Sequence, residues 1–274
     1  MQPSITPAST LLDASLAEVP EGFIPLWYRK HRLGAVSPGW QPRLDARFFD
    51  VREEQGQLHI RLVRADAQPL HRWAESLHAR GALPGWRNEA IEIFGPDPQE
   101  PLFSIERALL RPLGLLLRTV QLNVYTIRQG QPWIWCARRA AHKAVDPGLL
   151  DSLVSGGIGC GETPLVTLLR EAAEEAGLPA HYARQATPVS VMNSTSLGQD
   201  DEHTVLHRER MHVFDVRVPE EFQPVHPDGE TESACLQPLT QVLVQVQQGQ
   251  WSREGAWASI NLIHRYHRGT LRLR

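Results

Sequence analysis

The chain contains 274 residues, of which 42% are hydrophobic and 22% charged, and its formal net charge is -3 with a pI of about 6.5. This length suffices for one large domain or two ordinary ones, and the composition excludes a wholly disordered chain. The near-neutral charge provides no global field toward nucleic acid or an anionic membrane, and the sequence lacks the run of about 18 apolar residues that predicts a membrane span.

The first twenty residues carry no Lys or Arg ahead of a hydrophobic run, so they do not predict a secretory signal. We interpret residues 1–20 as a flexible N-terminal arm. The three cysteines, Cys136, Cys160 and Cys235, are scattered and lack the short paired spacing used for zinc or redox chemistry. This usage favours a reduced, cytoplasmic setting.

The N-terminal third of the chain mixes strand and helix patterns. Helical spacing of apolar residues predicts a helix over 70–81 that ends at Gly81, and the segment "GPDPQEP" predicts a turn between two strands. These elements predict a small α+β module over residues 21–114. The predicted strands of this module are 58–65, 89–94 and 102–108.

Longer strand patterns begin after a soft boundary near residue 115, where we place the start of a second domain, 115–274. Two of these strands flank the short segment "RQGQ" and are predicted to form a hairpin. The predicted elements of this domain, beside the helix described next, are strands 119–127, 132–139, 188–193 and 210–218 and helices 239–247 and 255–267.

A glutamate-rich helix is predicted after residue 162. Thr163 is suited to the N-cap, Pro164 to the first helical position, and Gly177 to the C-terminal stop. At about 100° per residue, the helix divides into an apolar face and a carboxylate face. We predict that the apolar face contains Leu165, Leu168, Leu169, Ala172 and Ala176, and that the opposite face contains Glu171, Glu174 and Glu175.

A solvated charged face is the ordinary interpretation of a Glu-rich helix. The flanking residues favour another one. Five residues separate Gly156 from Glu162, and seven more precede the run "REAAEEAGL" that starts at Arg170. The segment therefore resembles the Nudix box, the signature of the Nudix hydrolases, and the resemblance implies an α/β/α sandwich around a mixed sheet.

Carboxylates at positions i, i+3 and i+4 of a helix repel one another unless hard divalent cations lie between them. Magnesium or manganese would offset this repulsion and bridge the oxygens of a diphosphate. The resemblance to the Nudix box implies that Glu171, Glu174 and Glu175 ligate the metal and that Arg170 orients a carboxylate through a charge-assisted hydrogen bond.

The glycines ahead of the helix have an implied role as well. Gly156 and Gly157 would let the loop backbone approach the metal and the phosphates, which a Cβ would obstruct. Glu162 would support this loop or a metal-bound water. The implied reaction is attack of a metal-activated water on the diphosphate linkage of a small molecule.

A wider resemblance covers most of the chain after residue 20. The stretches that carry it look like the Nudix subfamily associated with thiamin pyrophosphokinases, in which an N-terminal domain precedes the Nudix fold. That subfamily implies hydrolysis of thiamin diphosphate, or of oxidised and damaged forms of it, to the monophosphate and phosphate. Ser152 and Ser155 depart from the Asn and Ala expected there, and 193–210 is an unusually polar insertion. The stretches are "LPGWRNEAIEI", "PLFSIERA", "LNVY", "ARRAAHKAVDPGLLDSLVSGG" and "DGETES".

Four further residues are candidates for substrate contact or catalysis. Lys143 lies on the segment that leads into the glycine loop. Two interpretations of it are possible: it contacts a substrate phosphate, or it is a solvated surface lysine. Trp86 can stack on a cationic ring or serve as a core anchor. Arg138 and Arg139 end a strand, where alternation turns at most one inward, and we assign Arg139 to the substrate.

Many Nudix enzymes recruit another glutamate as a metal ligand or general base, and Glu209 and Glu230 are the candidates here, with surface exposure as the alternative. We favour Glu209 because it precedes a strand, which holds a carboxylate more firmly than a loop.

The sequence thus predicts a magnesium- or manganese-dependent diphosphohydrolase, with no nucleic-acid or membrane partner. The alternatives are a pyrophosphatase acting on ADP-ribose or another nucleoside-diphosphate-X compound, and a non-catalytic ligand sensor with the same fold. Nudix proteins are often dimers, so a homodimer is a further expectation.

Overall fold

A computed structural model describes residues 19–95, 99–142, 146–200, 202–225 and 231–271. These residues divide into two compact units, each assembled from separate segments of the chain. The first unit contains the described residues up to Arg118 together with Ile158–Gly161 and Met192–Arg210. The second contains the described residues of Thr119–Gly157, Glu162–Val191 and Met211–Arg274. Because both units are discontinuous, the domain boundary near residue 115 stays a prediction, and most of the predicted arm 1–20 lies outside the described residues.

A mixed four-stranded sheet forms one part of the first unit. Its strands follow the order β2-β1-β4-β3, in which two antiparallel hairpins are joined by the parallel pair β1–β4. Gln55 and Gly56 both have positive φ between β3 and β4, as the tight turn of a two-residue hairpin requires. The strands are β1 Ile24–Tyr28, β2 His31–Val36, β3 Phe49–Glu54 and β4 Gln57–Leu62.

A helix and a third hairpin complete the core of this unit. Helix α1, Ala67–Ala79, buries an amphipathic stripe that includes Leu70, Trp73 and Leu77. It therefore begins and ends earlier than the predicted 70–81, and Gly81 follows with a φ of +72°. An antiparallel pair forms the hairpin, with β5 spanning Ala90–Phe94 and β6 spanning Pro101–Glu106.

A seven-stranded sheet carries the rest of the fold. Its main order is β11-β12-β7-β8-β13, with β10 paired to β7 and β9 paired to β8. Every residue of β7 from Thr119 to Thr126 is buried, which means that both faces of this strand are covered. The strands are β7 Leu116–Arg128, β8 Gln131–Arg139, β9 Leu150–Ser152, β10 Val154–Gly157, β11 Thr187–Asp200, β12 His203–Arg217 and β13 Thr231–Pro238.

Helices pack against this sheet in the second unit, so the fold is the predicted α+β type with an α/β/α sandwich. Helix α2 contacts β10, α5 contacts β9, and α4 contacts β8 and β13. None of the described helices is both long and apolar enough to cross a membrane. The helices are α2 Pro164–Ala176, α3 Ala180–Ala183, α4 Leu239–Gln247 and α5 Arg253–His267.

The segment 193–210, interpreted from the sequence as a polar insertion, is strand over most of its length. It contains the second half of β11 and the first half of β12, which are neighbours in the sheet. Strands β1, β2, β3, β9, β10 and β13 lie outside the predicted elements.

Candidate metal and catalytic site on helix α2

Helix α2 begins and ends where its capping residues predicted. The Thr163 hydroxyl accepts a hydrogen bond from the backbone N–H of Val166 at 3.3 Å, and Pro164 occupies the first turn. Gly177 closes the helix in the left-handed conformation, with a φ of +56°. These local signals place the three glutamates on one short, well-bounded helix.

The two faces of α2 differ from the predicted division. Leu168, Ala172 and Ala176 are buried as predicted, but Leu165 is 46% exposed. The side chain of Glu171 is only 14% exposed, whereas that of Glu174 is 55% exposed. Residues three and four apart are neighbours on a helix, so Glu171 lies beside Leu168 rather than opposite to it. The prediction that all three glutamates lie on the face opposite the apolar residues was therefore wrong for Glu171.

Gly156 provides the room that Glu171 occupies. It lies on β10 opposite Val120 of β7, and β10 packs against α2. A Cβ at position 156 would overlap the Oε1 and Cδ atoms of Glu171. Gly156 is thus required here by the close approach of the Glu171 carboxylate to the backbone. Its implied approach to a metal and to phosphates stays a prediction. Its neighbour Gly157 lies on the same strand, opposite Thr119.

Arg170 holds several carboxylates together. Its Nε and Nη2 donate to the two oxygens of Glu162, at 3.1 Å each, and the Thr167 hydroxyl donates to Glu162 at 2.7 Å. Its Nη1 donates to Oε1 of Glu171 at 2.9 Å and to Oε2 of Glu174 at 3.1 Å. The hydrogen bonds to Glu162 raise the pKa of Arg170, and partial burial opposes this rise. Thr167 is a contributor that the sequence analysis missed, although its place one turn after the N-cap is a usable signal.

Glu175 has a different donor. Its Oε2 accepts a hydrogen bond from the backbone N–H of Ser155 at 2.7 Å. The donor is the backbone N–H, so the contact does not depend on residue 155 being Ser rather than the Ala expected from the subfamily. At the other departure, Ser152, the hydroxyl is buried and has no hydrogen-bond partner among the described residues.

The chemistry of these donors suits a hard divalent cation. Glu171, Glu174 and Glu175 offer carboxylate oxygens only, which magnesium and manganese prefer to thiolate or imidazole ligands. Among the described residues, no group of three or more His, Cys, Asp or Glu side chains is already placed to hold a metal ion. Arg170 and the Ser155 N–H donate hydrogen bonds to the glutamates, and these bonds offset part of the repulsion between carboxylates at this spacing.

Arg139, predicted to bind substrate, lies in a partly buried ion pair. Its Nη1 donates to Oδ2 of Asp151 at 2.7 Å. Burial raises the pKa of Asp151, and Arg139 and a hydrogen bond from Ser252 act to lower it. Arg138, the alternative on this strand, donates to the carbonyl of Gly148 at 2.7 Å. Arg139 therefore has a structural role as the ion-pair partner of Asp151. Its contact with a substrate stays a prediction.

Glu209 lies on β12 among the residues of the first unit and is buried rather than exposed. Its Oε1 is 2.7 Å from Nε2 of His207. The competing candidate Glu230 lies outside the described residues, as does Lys143. Catalysis by Glu209 and substrate contact by Lys143 stay predictions.

Trp86 packs partly buried against the core of the first unit. Its ring stacks on His78 with centroids 5.3 Å apart and an interplanar angle of 12°, and it also contacts His71. The core role that the sequence left open is therefore present, and stacking on a substrate ring stays a prediction.

Several known proteins resemble this chain in sequence or in fold. Nudix hydrolase 24, chloroplastic, and Nudix hydrolase 20, chloroplastic, both from Arabidopsis thaliana, are each 34% identical over 163 residues, which is 60% of this chain. The matched part spans less than half of those relatives, 44% and 42% of their lengths. The crystal structure of DR0079 from Deinococcus radiodurans matches 64% of this chain and 98% of its own, at 20% identity and a TM-score of 0.46.

The NUDIX domain family model matches residues 117–256, just over half of the 274-residue chain. This range contains the whole array from Gly156 to Leu178, with Arg170 and the three glutamates of α2 in place. The protein belongs to the NUDIX domain family.

Proposed function

We propose that this protein is a divalent-metal-dependent hydrolase that cleaves the diphosphate of a small organic molecule. The observation that supports this most directly is the carboxylate cluster at α2. Glu162, just before the helix, and Glu171 and Glu174 within it all accept hydrogen bonds from the guanidinium of Arg170, and α2 packs against β10. One guanidinium leaves a net negative charge on this group, which would attract a dication and, through it, a diphosphate.

Glu171, Glu174 and Glu175 would hold magnesium or manganese. When bound, the ion polarises phosphoryl oxygens and lowers the pKa of water. Arg170 restricts the rotation of Glu171 and Glu174 through its hydrogen bonds, and the Ser155 N–H does the same for Glu175. We assign Glu209 as the further glutamate that accepts a proton or completes the ligand set.

The substrate class that we propose is thiamin diphosphate or its oxidised and damaged analogues. The resemblance to the subfamily associated with thiamin pyrophosphokinases supports this choice. Water adds to the terminal phosphorus and the bridging P–O bond breaks, so the products are the monophosphate and phosphate. Lys143, Arg139, Trp86 and Gly157 are the proposed substrate contacts, and a homodimer remains the expected oligomer.

The metal-site assignment is tested by Glu174→Gln. Turnover at saturating magnesium should fall on the order of 100-fold or more because a metal ligand is lost. The fold should be retained because Glu174 is exposed and the mutual repulsion of the carboxylates decreases. Glu75→Gln, which changes an exposed glutamate on α1, is the matched control and should turn over like the unaltered protein. Unchanged turnover of Glu174→Gln would contradict the assignment.

The substrate assignment is tested with oxothiamin diphosphate, thiamin diphosphate and ADP-ribose on one preparation, with products separated by chromatography. We expect the highest kcat/KM on a thiamin-type diphosphate. Equal or faster cleavage of ADP-ribose would replace the thiamin assignment by the ADP-ribose type. Binding of any of these compounds without product formation would support a non-catalytic sensor.

A further inference from the structure

Two free cysteines lie directly opposite each other on neighbouring strands. Cys136 of β8 is the register partner of Cys235 of β13 in an antiparallel pair. Directly opposed residues of antiparallel strands have their Cα atoms about 4.5–5.5 Å apart and point their side chains to the same face. A disulfide requires a Cα separation of about 4.4–6.8 Å, so this register is compatible with one.

The two thiols differ in their surroundings. Cys136 is fully buried, and its strand pairs with β9 through Ser152 on one side and with β13 on the other. Cys235 is only half-buried and lies on β13, the terminal strand of the sheet order. A small oxidant from solvent therefore meets Cys235 first.

Neighbouring side chains on the same face stabilise the thiolate of Cys235. The Cys136 thiol, which donates to the carbonyl of Ile134 at 3.7 Å, lowers the pKa of Cys235 most, and the Gln237 Nε2 donates to the Cys235 Sγ at 2.9 Å. Together with the charge of Arg138, these two side chains lower the pKa of Cys235 to about 6 against the opposing effect of burial. Burial raises the pKa of Cys136, which therefore stays protonated. This division resembles that between an attacking and a resolving thiol.

We propose that Cys235 is a hydroperoxide-reactive modification site and that Cys136 resolves it into a cross-strand disulfide. The Cys235 thiolate attacks the terminal oxygen of the hydroperoxide, the O–O bond breaks, and the departing oxygen takes up a proton. The Cys136 sulfur then attacks the resulting sulfenic acid, the S–O bond breaks, and the hydroxide leaves as water with the proton from Cys136. Two thiols are oxidised, and one hydroperoxide is reduced to an alcohol, or to water when the oxidant is hydrogen peroxide.

Cys160 provides an internal comparison. It is the exposed cysteine, but its thiol lies 3.6 Å from Oε1 of Glu92, to which it donates. Partial burial and this carboxylate raise the pKa of Cys160. If exposure alone governed reactivity, Cys160 would react first; if thiolate character governs it, Cys235 will.

The first test treats the reduced full chain with hydrogen peroxide at pH 7, followed by non-reducing digestion and mass spectrometry. We expect a peptide pair linked through Cys136 and Cys235, with Cys160 still a free thiol. Cys136→Ser should stop the linkage and leave Cys235 as a sulfenic acid that dimedone traps. Cys160→Ser is the matched control and should form the same linkage as the unaltered chain.

The second test needs no variant. The rate of alkylation of each cysteine by iodoacetamide is followed against pH in the native protein, and Cys235 should show a midpoint of about 6. At pH 7, Cys235 should react on the order of tenfold faster than Cys160. A Cys160 that reacts first in both tests, or peroxide treatment without a link between Cys136 and Cys235, would overturn the proposal. Neither test depends on the proposed hydrolase activity.

Discussion

At the scale of single residues, α2 shows how acidic side chains can be crowded on one helix. Arg170 donates to Glu162, Glu171 and Glu174, and the backbone N–H of Ser155 donates to Glu175. Each carboxylate thus has a positive or polar donor, and charge-assisted hydrogen bonds of this kind are about twice as strong as neutral ones. The donors orient the acids as well as offset their repulsion.

Gly156→Ala tests the steric side of this arrangement. The added methyl group would overlap the carboxylate of Glu171, so we expect the free energy of unfolding to fall by about 1–3 kcal/mol. If Glu171 is a metal ligand as proposed, its displacement should lower kcat on the order of 100-fold. Urea unfolding and turnover of the same preparation measure the two effects.

Gly198→Ala is the matched control for this substitution. A Cβ there would meet only the Val205 side chain, at an ordinary contact distance of 3.8 Å. Gly198→Ala should therefore change neither the free energy of unfolding nor kcat appreciably. A Gly156→Ala protein as stable and active as this control would show that the close approach of Glu171 has no consequence.

At the scale of elements, the helices were predicted well because their signals are local. Thr163, Pro164 and Gly177 bound α2 within thirteen residues, and α4 spans the predicted residues 239–247. Strands were predicted less completely. Thr231–Pro238 is polar along much of its length, and it is a strand because its backbone pairs with β8, a partner distant in sequence.

Thr163→Ala tests how much the N-cap contributes to α2. The Val166 N–H would lose its acceptor, and the free energy of unfolding should fall by about 1 kcal/mol. Thr163→Ser keeps the hydroxyl and should retain most of the stability. Chemical unfolding of the three proteins gives the comparison, and equal stability of Thr163→Ala and Thr163→Ser would show that the hydrogen bond is dispensable.

At the scale of the molecule, a buried polar network connects distant segments of the second unit. Asp215 of β12 accepts from Asn123 of β7 at 2.9 Å and from Nη2 of Arg265 of α5 at 3.0 Å. Asn123 also donates to the carbonyl of Ala258 on α5. The network therefore joins two strands of the sheet to the C-terminal helix.

Arg265→Met should lower the free energy of unfolding by about 3–5 kcal/mol because it leaves Asp215 buried without its cation. Adding Asp215→Asn should recover part of this loss, since the uncompensated charge is removed as well. Arg253→Met, at an exposed position of the same helix, should change stability by no more than about 0.5 kcal/mol. A double variant as unstable as the sum of the two single variants would show that Arg265 and Asp215 are not coupled.

The sequence by itself determined the family signature, the bounds of α2 and the identity of the acidic side chains. Caps, helical spacing and motif residues all act over a few positions, so they can be read without knowing the fold. Only the tertiary structure decided that Glu171 lies against Gly156, that Arg139 pairs with Asp151, and that Cys136 and Cys235 are opposite each other. These contacts depend on strand register and on packing between elements, which are set by residues far apart in the chain.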